Sequence, residues 1–124
     1  MIVAGIGFRA LAPIAALAEV LARAEAAAGA SVDALATPAD KAQAVQIRAL
    51  VASLGLPLIA VPAAALAGID TPTRSPRVEA RYGTGSVAEA AALAAAGPGA
   101  RLTVARLSST DRTATAAIAI GDPS

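Results

Sequence analysis

Three short stretches carry residue types able to hold an anion. In Gly83-Thr84-Gly85-Ser86, two glycines lead to a serine standing three residues before Glu89. That spacing predicts a capping box, with the Ser86 hydroxyl accepting from the Glu89 amide and the carboxylate accepting from the amide of Ser86. A helix starting there leaves unpaired amides at its positive end, and bare glycine main chain lets an anion approach them. Gly5-Ile6-Gly7-Phe8-Arg9 places glycine amides beside a guanidinium, and Thr37 to Lys41 offers a hydroxyl, Asp40 and an ammonium group. Amides with arginine and lysine suit carboxylates or phosphates. For activating a water the weak candidates are Asp40 and Glu79, since capping already occupies Glu89.

Composition removes many alternatives. The chain has no cysteine and no histidine, which excludes disulfides, thiolate nucleophiles, imidazole dyads and the usual zinc sites. No pair of carboxylates has a recognisable ligand spacing, so neither a metal nor a cofactor is expected. Ten basic residues against nine acidic ones leave a formal charge of +1, and Phe8 and Tyr82 are the only aromatic residues. Neither a basic surface nor a stacking platform for nucleic acid follows. Residues 49–69 carry no charge, yet Pro57, Pro62, Gly55 and Gly68 interrupt them, which argues against a membrane span. Arg9 inside the apolar N-terminus, with no basic segment before it, argues against a signal peptide, so a cytoplasmic location is expected.

The elements that must position these groups are legible in outline. Ile2-Val3-Ala4 reads as a buried strand ending in a glycine turn at 5–7, and a helix begins near Leu11, tolerates Pro13 in its first turn and stops at Gly29. The third glycine of a dinucleotide-binding fingerprint would fall at Ala10, so that reading is set aside. Ala34 to Thr37 is a second strand. Ile47, Leu50, Val51 and Leu54 then mark an amphipathic helix ending at Gly55. Leu58 to Val61 reads as a central strand buried on both faces, followed by a short helix from Pro62 to about Leu66. Residues 68–77 have loop composition, and 77–82 alternate as an extended segment with Val78, Ala80 and Tyr82 turned inward. After the capped helix at 86–96, residues 102–105 and 113–120 form a hairpin. Alternating strands and helices predict one domain over residues 1–124, a three-layer α/β/α sandwich on a mostly parallel sheet of about five strands, with an antiparallel strand from the C-terminal hairpin. In such sheets ligands gather at the carboxyl ends of the strands, where the three anion-suited stretches would meet.

The same stretches carry a resemblance running nearly the whole length. Gly5-Ile6-Gly7 with Arg9, Leu35-Ala36-Thr37 with Lys41, Leu54-Gly55-Leu56-Pro57-Leu58, and Gly85-Ser86-Val87-Ala88-Glu89 with Ala91 are similar, in order and spacing, to segments of the CobE and CbiG C-terminal family of cobalamin biosynthesis. Residues 102–105 and 113–120 resemble its closing strands. The chain departs from the family at Phe8-Arg9-Ala10, where many relatives have Cys-Arg-Arg-Gly, near Ala44, where a glutamate is common, and at Arg106, where lysine is usual. The absence of a CbiG N-terminal region points to a free-standing CobE-like protein.

The resemblance implies a role in making vitamin B12, with a corrin or precorrin intermediate as the partner and a second pathway enzyme as a further one. It implies a binding site at Gly5, Gly7, Phe8, Arg9, Thr37, Lys41, Gly83, Thr84, Gly85 and Ser86, with Arg81, Arg106 or Arg112 contributing. Two other readings stay open: a hydrolase opening a precorrin lactone with release of acetaldehyde, as CbiG does on cobalt-precorrin-5A, and a structural subunit of a pathway enzyme.

Overall fold

The computed structural model describes residues 1–121. Its elements, in order, are β1 Ile2–Phe8, α1 Ile14–Ala28, β2 Ala34–Pro38, a 3-10 turn Ala39–Lys41, α2 Val45–Leu54, β3 Leu58–Val61, α3 Ala63–Leu66, α4 Pro76–Tyr82, α5 Val87–Ala96, β4 Arg101–Ser108 and β5 Ala114–Ile120. They form a five-stranded sheet in the order β3-β2-β1-β5-β4. β1, β2 and β3 pair in parallel, and β5 runs antiparallel to both β1 and β4. Four strands therefore share one direction and β5 alone opposes them.

Helices cover both faces. Ala4 and Ile6 of β1 and Ala116 and Ile118 of β5 pack with Leu17, Val20 and Leu21 of α1 and Ile47 and Leu50 of α2. On the other face Val3, Ala36 and Val61 pack with Leu66 of α3 and Ala90 and Ala91 of α5. The alternation of β1 explains the division, because residues two apart point to the same side of a strand.

Several elements differ from the sequence expectation. β1 does not turn at its glycines. It continues to Phe8, because β5 pairs with it at seven consecutive positions. α1 starts at Ile14, with Pro13 as an extended N-cap. β3 is an edge strand rather than a central one, and Ala60 on it is exposed. Its apolar run resembles a central strand because α3 and α5 still cover part of it. Residues 77–82 are the helix α4, not an extended segment: Pro76 takes the first helical position and Gly83, at φ 73, closes it. Seven residues are too few for a helical period to stand out against alternation.

Candidate functional site

The carboxyl ends of β1, β2 and β4 and the start of β5 surround an open cleft of about 560 Å³, whose wall is completed by α4 and by Val87 at the first turn of α5. The volume falls within the range of small-molecule sites, roughly 300–1,000 Å³. Six cationic residues line it, Arg9, Lys41, Arg77, Arg81, Arg106 and Arg112, and among the described residues no acidic one does. Phe8, Pro38, Val78, Tyr82 and Val87 supply apolar surface between them. A chain with a formal charge of +1 thus places six of its ten cations around one opening.

Local structure explains how each cation gets there. Arg9 follows the end of β1, and its amide donates to Thr113 O at 2.9 Å. Lys41 closes the turn after β2, with Nζ 5.3 Å from the centre of the Phe8 ring, within range of a cation–π contact. Arg77 and Arg81 lie four apart on α4 and so share a face. Arg81 donates to Asp40 Oδ2 at 2.7 Å, and the Tyr82 hydroxyl donates to the same carboxylate at 3.0 Å. The hydrogen bond to Asp40 raises the Arg81 pKa further. Burial, and after it the bond to Asp40, push the Tyr82 phenol above its ordinary value.

Arg112 holds a left-handed conformation, φ 62, unusual for a residue with a side chain. The loop between β4 and β5 maintains it. The Asp111 carboxylate accepts from the Ser109 hydroxyl at 2.7 Å and from the Thr113 amide and hydroxyl at 3.0 and 2.7 Å, and the Arg112 amide donates to Ser109 O at 2.9 Å. The Ser109 hydroxyl, then Thr113, hold the Asp111 carboxyl below its usual range. The Thr110 hydroxyl and then its amide do the same to Glu19 of α1, which fastens this loop to the helix layer.

The residues expected from sequence divide sharply. Gly7, Phe8, Arg9 and Lys41 line the cleft. Gly5 does not. It lies inside β1 under α5, where an added Cβ would stand 1.9 Å from Ala88 O, so its role is to admit the helix. Thr37 is buried and donates its hydroxyl to Ile6 O at 2.8 Å, locking the ends of β2 and β1 together.

The 83–86 loop also turns away from the large cleft. Gly83 caps α4, the Thr84 hydroxyl donates to Ile69 O at 2.7 Å, and Gly85 is pressed against Thr73 O, with its own carbonyl accepting from the Ser75 amide at 2.8 Å. Gly83, Thr84 and Gly85 border a separate hollow of about 70 Å³. Ser86 is buried and caps α5, accepting from the Glu89 amide at 3.4 Å, while the Glu89 carboxylate accepts from other segments and not from Ser86. The glycines that look like an anion cradle thus lie outside the large cleft and pack against neighbouring loops.

Neither candidate base lines the cleft. Asp40 is held by Arg81 and Tyr82, and Glu79 pairs with Arg74. Arg77 is the cation that the extended reading of 77–82 concealed. The Ser75-Pro76 start and the Gly83 stop were the available signals of the helix that aims it. Among the described residues no group of three or more carboxylates gathers at metal-ligating spacing, and no helix is long and apolar enough to cross a membrane.

The sequence matches the family described as Cobalamin synthesis G C-terminus over residues 2–119. The chain belongs to that family. Among solved structures, CobE, a protein from the cobalamin (vitamin B12) biosynthetic pathway, superposes with a TM-score of 0.84 at 32% identity, over 96% of this chain and 89% of that one. The cobalamin biosynthesis protein ChiG from Agrobacterium tumefaciens str. C58 superposes with a TM-score of 0.75 at 35% identity, over 98% and 99%. No curated protein matches the chain. Family membership makes it a cobalamin-biosynthesis protein of the CobE and CbiG C-terminal type.

Proposed function

We propose that the cleft binds the carboxylate-edged rim of a corrin or precorrin intermediate and holds it for another enzyme of the pathway. The observation that carries this reading is the convergence of six cationic residues on an opening that, among the described residues, no acidic one lines. Such a ligand is a large apolar macrocycle fringed with acetate and propionate groups. Its carboxylates match guanidinium forks spread over several elements, and its edge matches the apolar strip from Phe8 to Val87.

Lactone hydrolysis has less support, because it needs a base near the bound ester. Asp40 is occupied by Arg81 and Tyr82, and Glu79 by Arg74.

Titration of the protein with hydrogenobyrinic acid, followed by absorbance, tests the proposal. One-to-one binding is expected, weakened by added salt and by roughly tenfold in Arg9→Ala or Arg106→Ala, as for loss of one hydrogen bond between charged groups. Absence of binding at high micromolar pigment refutes the reading. Release of acetaldehyde from cobalt-precorrin-5A would replace it with the hydrolase.

A further inference from the structure

Among the described residues, the buried carboxyl of Glu89 lies outside the cleft and takes no part in the binding proposed for it. Glu89 is fully buried in the first turn of α5, an otherwise apolar helix of alanine, valine and leucine. Its oxygens accept three hydrogen bonds: Oε1 from the Thr73 amide at 3.0 Å, and Oε2 from the Thr73 hydroxyl at 2.9 Å and the Arg106 amide at 2.9 Å. A carboxylate serving only as a cap would turn back to the amide of Ser86. This one instead reaches two segments more than thirty residues apart, and each leads to a cation of the cleft.

On one side, Thr73 stands three residues before α4, which brings Arg77 and Arg81 into the wall. That helix has no fully buried residue; the half-buried Tyr82 packs on the core beneath it, and the loop before it and the Asp40 contacts fix the rest. On the other side, Arg106 lies where β4 departs from regular pairing. Val104 is opposite Ile118 and Leu107 is opposite Ala116, so β4 spends three steps where β5 takes two. A bulge of this kind re-aims a side chain, and its conformation needs a partner for the displaced main chain. The Glu89 carboxylate bonds the Arg106 amide inside that irregular span.

We infer that Glu89 is a positioning residue, a crosspiece that sets the distance between the α4 and β4 walls and thereby the spacing of the cations offered to the ligand. The part concerning ligand affinity rests on the carboxylate-binding reading above, whereas the geometry does not. Glutamine at this position keeps one acceptor oxygen but turns a donor toward either the Thr73 or the Arg106 amide, so one of the three bonds is lost. Thr73→Val removes the hydroxyl bond and leaves Glu89 intact.

Because the chain lacks cysteine, Ala80→Cys on α4 and Ala105→Cys on β4, both exposed, can carry a pair of spin labels. The inter-label distance distribution, measured by pulsed electron resonance without ligand, is expected to broaden or shift in both Glu89→Gln and Thr73→Val. An unchanged distribution in the two folded variants overturns the inference, whatever the ligand proves to be. In unlabelled protein, Glu89→Gln is expected to weaken hydrogenobyrinic acid binding roughly tenfold. Combined with Arg106→Ala, it should cost less than the product of the separate losses, since both act on one set of contacts. Losses that simply multiply mark Glu89 as a fold-stabilising group only and overturn the positioning role. If the parent protein binds no pigment while the distances respond, the ligand reading fails and the crosspiece stands.

Discussion

Gly5→Ala separates a packing role from a binding role at the first glycine of the chain. The added Cβ would stand 1.9 Å from Ala88 O and 2.7 Å from Ala92 N, both main-chain atoms of α5. Neither can rotate aside, so α5 must retreat by roughly 1 to 1.5 Å before ordinary contact is restored, a case of overpacking. Such insertions cost typically 1–3 kcal/mol, and an obstruction made of backbone belongs at the upper end, about 3 kcal/mol. At roughly 4 °C per kcal/mol for a domain of this size, the thermal midpoint should fall by about 12 °C in a circular-dichroism melt. Because the clash is with main chain, trimming the neighbouring side chain in Gly5→Ala/Ala92→Gly should not recover the loss. A variant that melts within about 2 °C of the parent while losing ligand affinity would refute the packing argument and restore Gly5 as a ligand amide.

Asp40→Ala should raise affinity for a polycarboxylate roughly two- to fivefold, because it frees Arg81 from an exposed, weak ion pair; a general base in that position would instead make the variant inactive in any turnover assay. Tyr82 is the sole tyrosine and should titrate above about 10 by ultraviolet absorbance. Asp40→Asn should bring it only part of the way back, since burial is the larger cause. For Asp111 the folded carboxyl lies below its unfolded value, so the unfolded chain binds more protons in acid. The stabilisation is complete above about pH 4 and disappears as pH falls through the lower folded value, and Asp111→Asn should flatten that part of a melting-temperature profile against pH.

Part of this molecule was written locally. The left-handed glycines at 29 and 55 end α1 and α2 where the pattern of apolar residues stops, and Pro62 stands immediately before α3. That Gly7, Phe8, Arg9 and Lys41 would border one cleft was legible because parallel strands place their carboxyl ends side by side. Other features are illegible in the chain. A glycine that admits a ligand and a glycine that admits a helix have the same letter, and only the position of α5 over β1 makes Gly5 the second kind. Likewise Ser86 and Glu89 have the spacing of a reciprocal cap, but Thr73 and Arg106 arrive from distant segments and take the carboxylate.

By itself, then, the order of residues determined the α/β/α architecture, the helix stops and the absence of thiol or imidazole chemistry, since these depend on neighbours along the chain or on composition alone. Tertiary structure decided which amides remain available and which cations share an opening. The physical reason is that a hydrogen bond is awarded to whichever partner comes within about 3 Å, and across a sheet that partner is chosen by packing rather than by sequence distance.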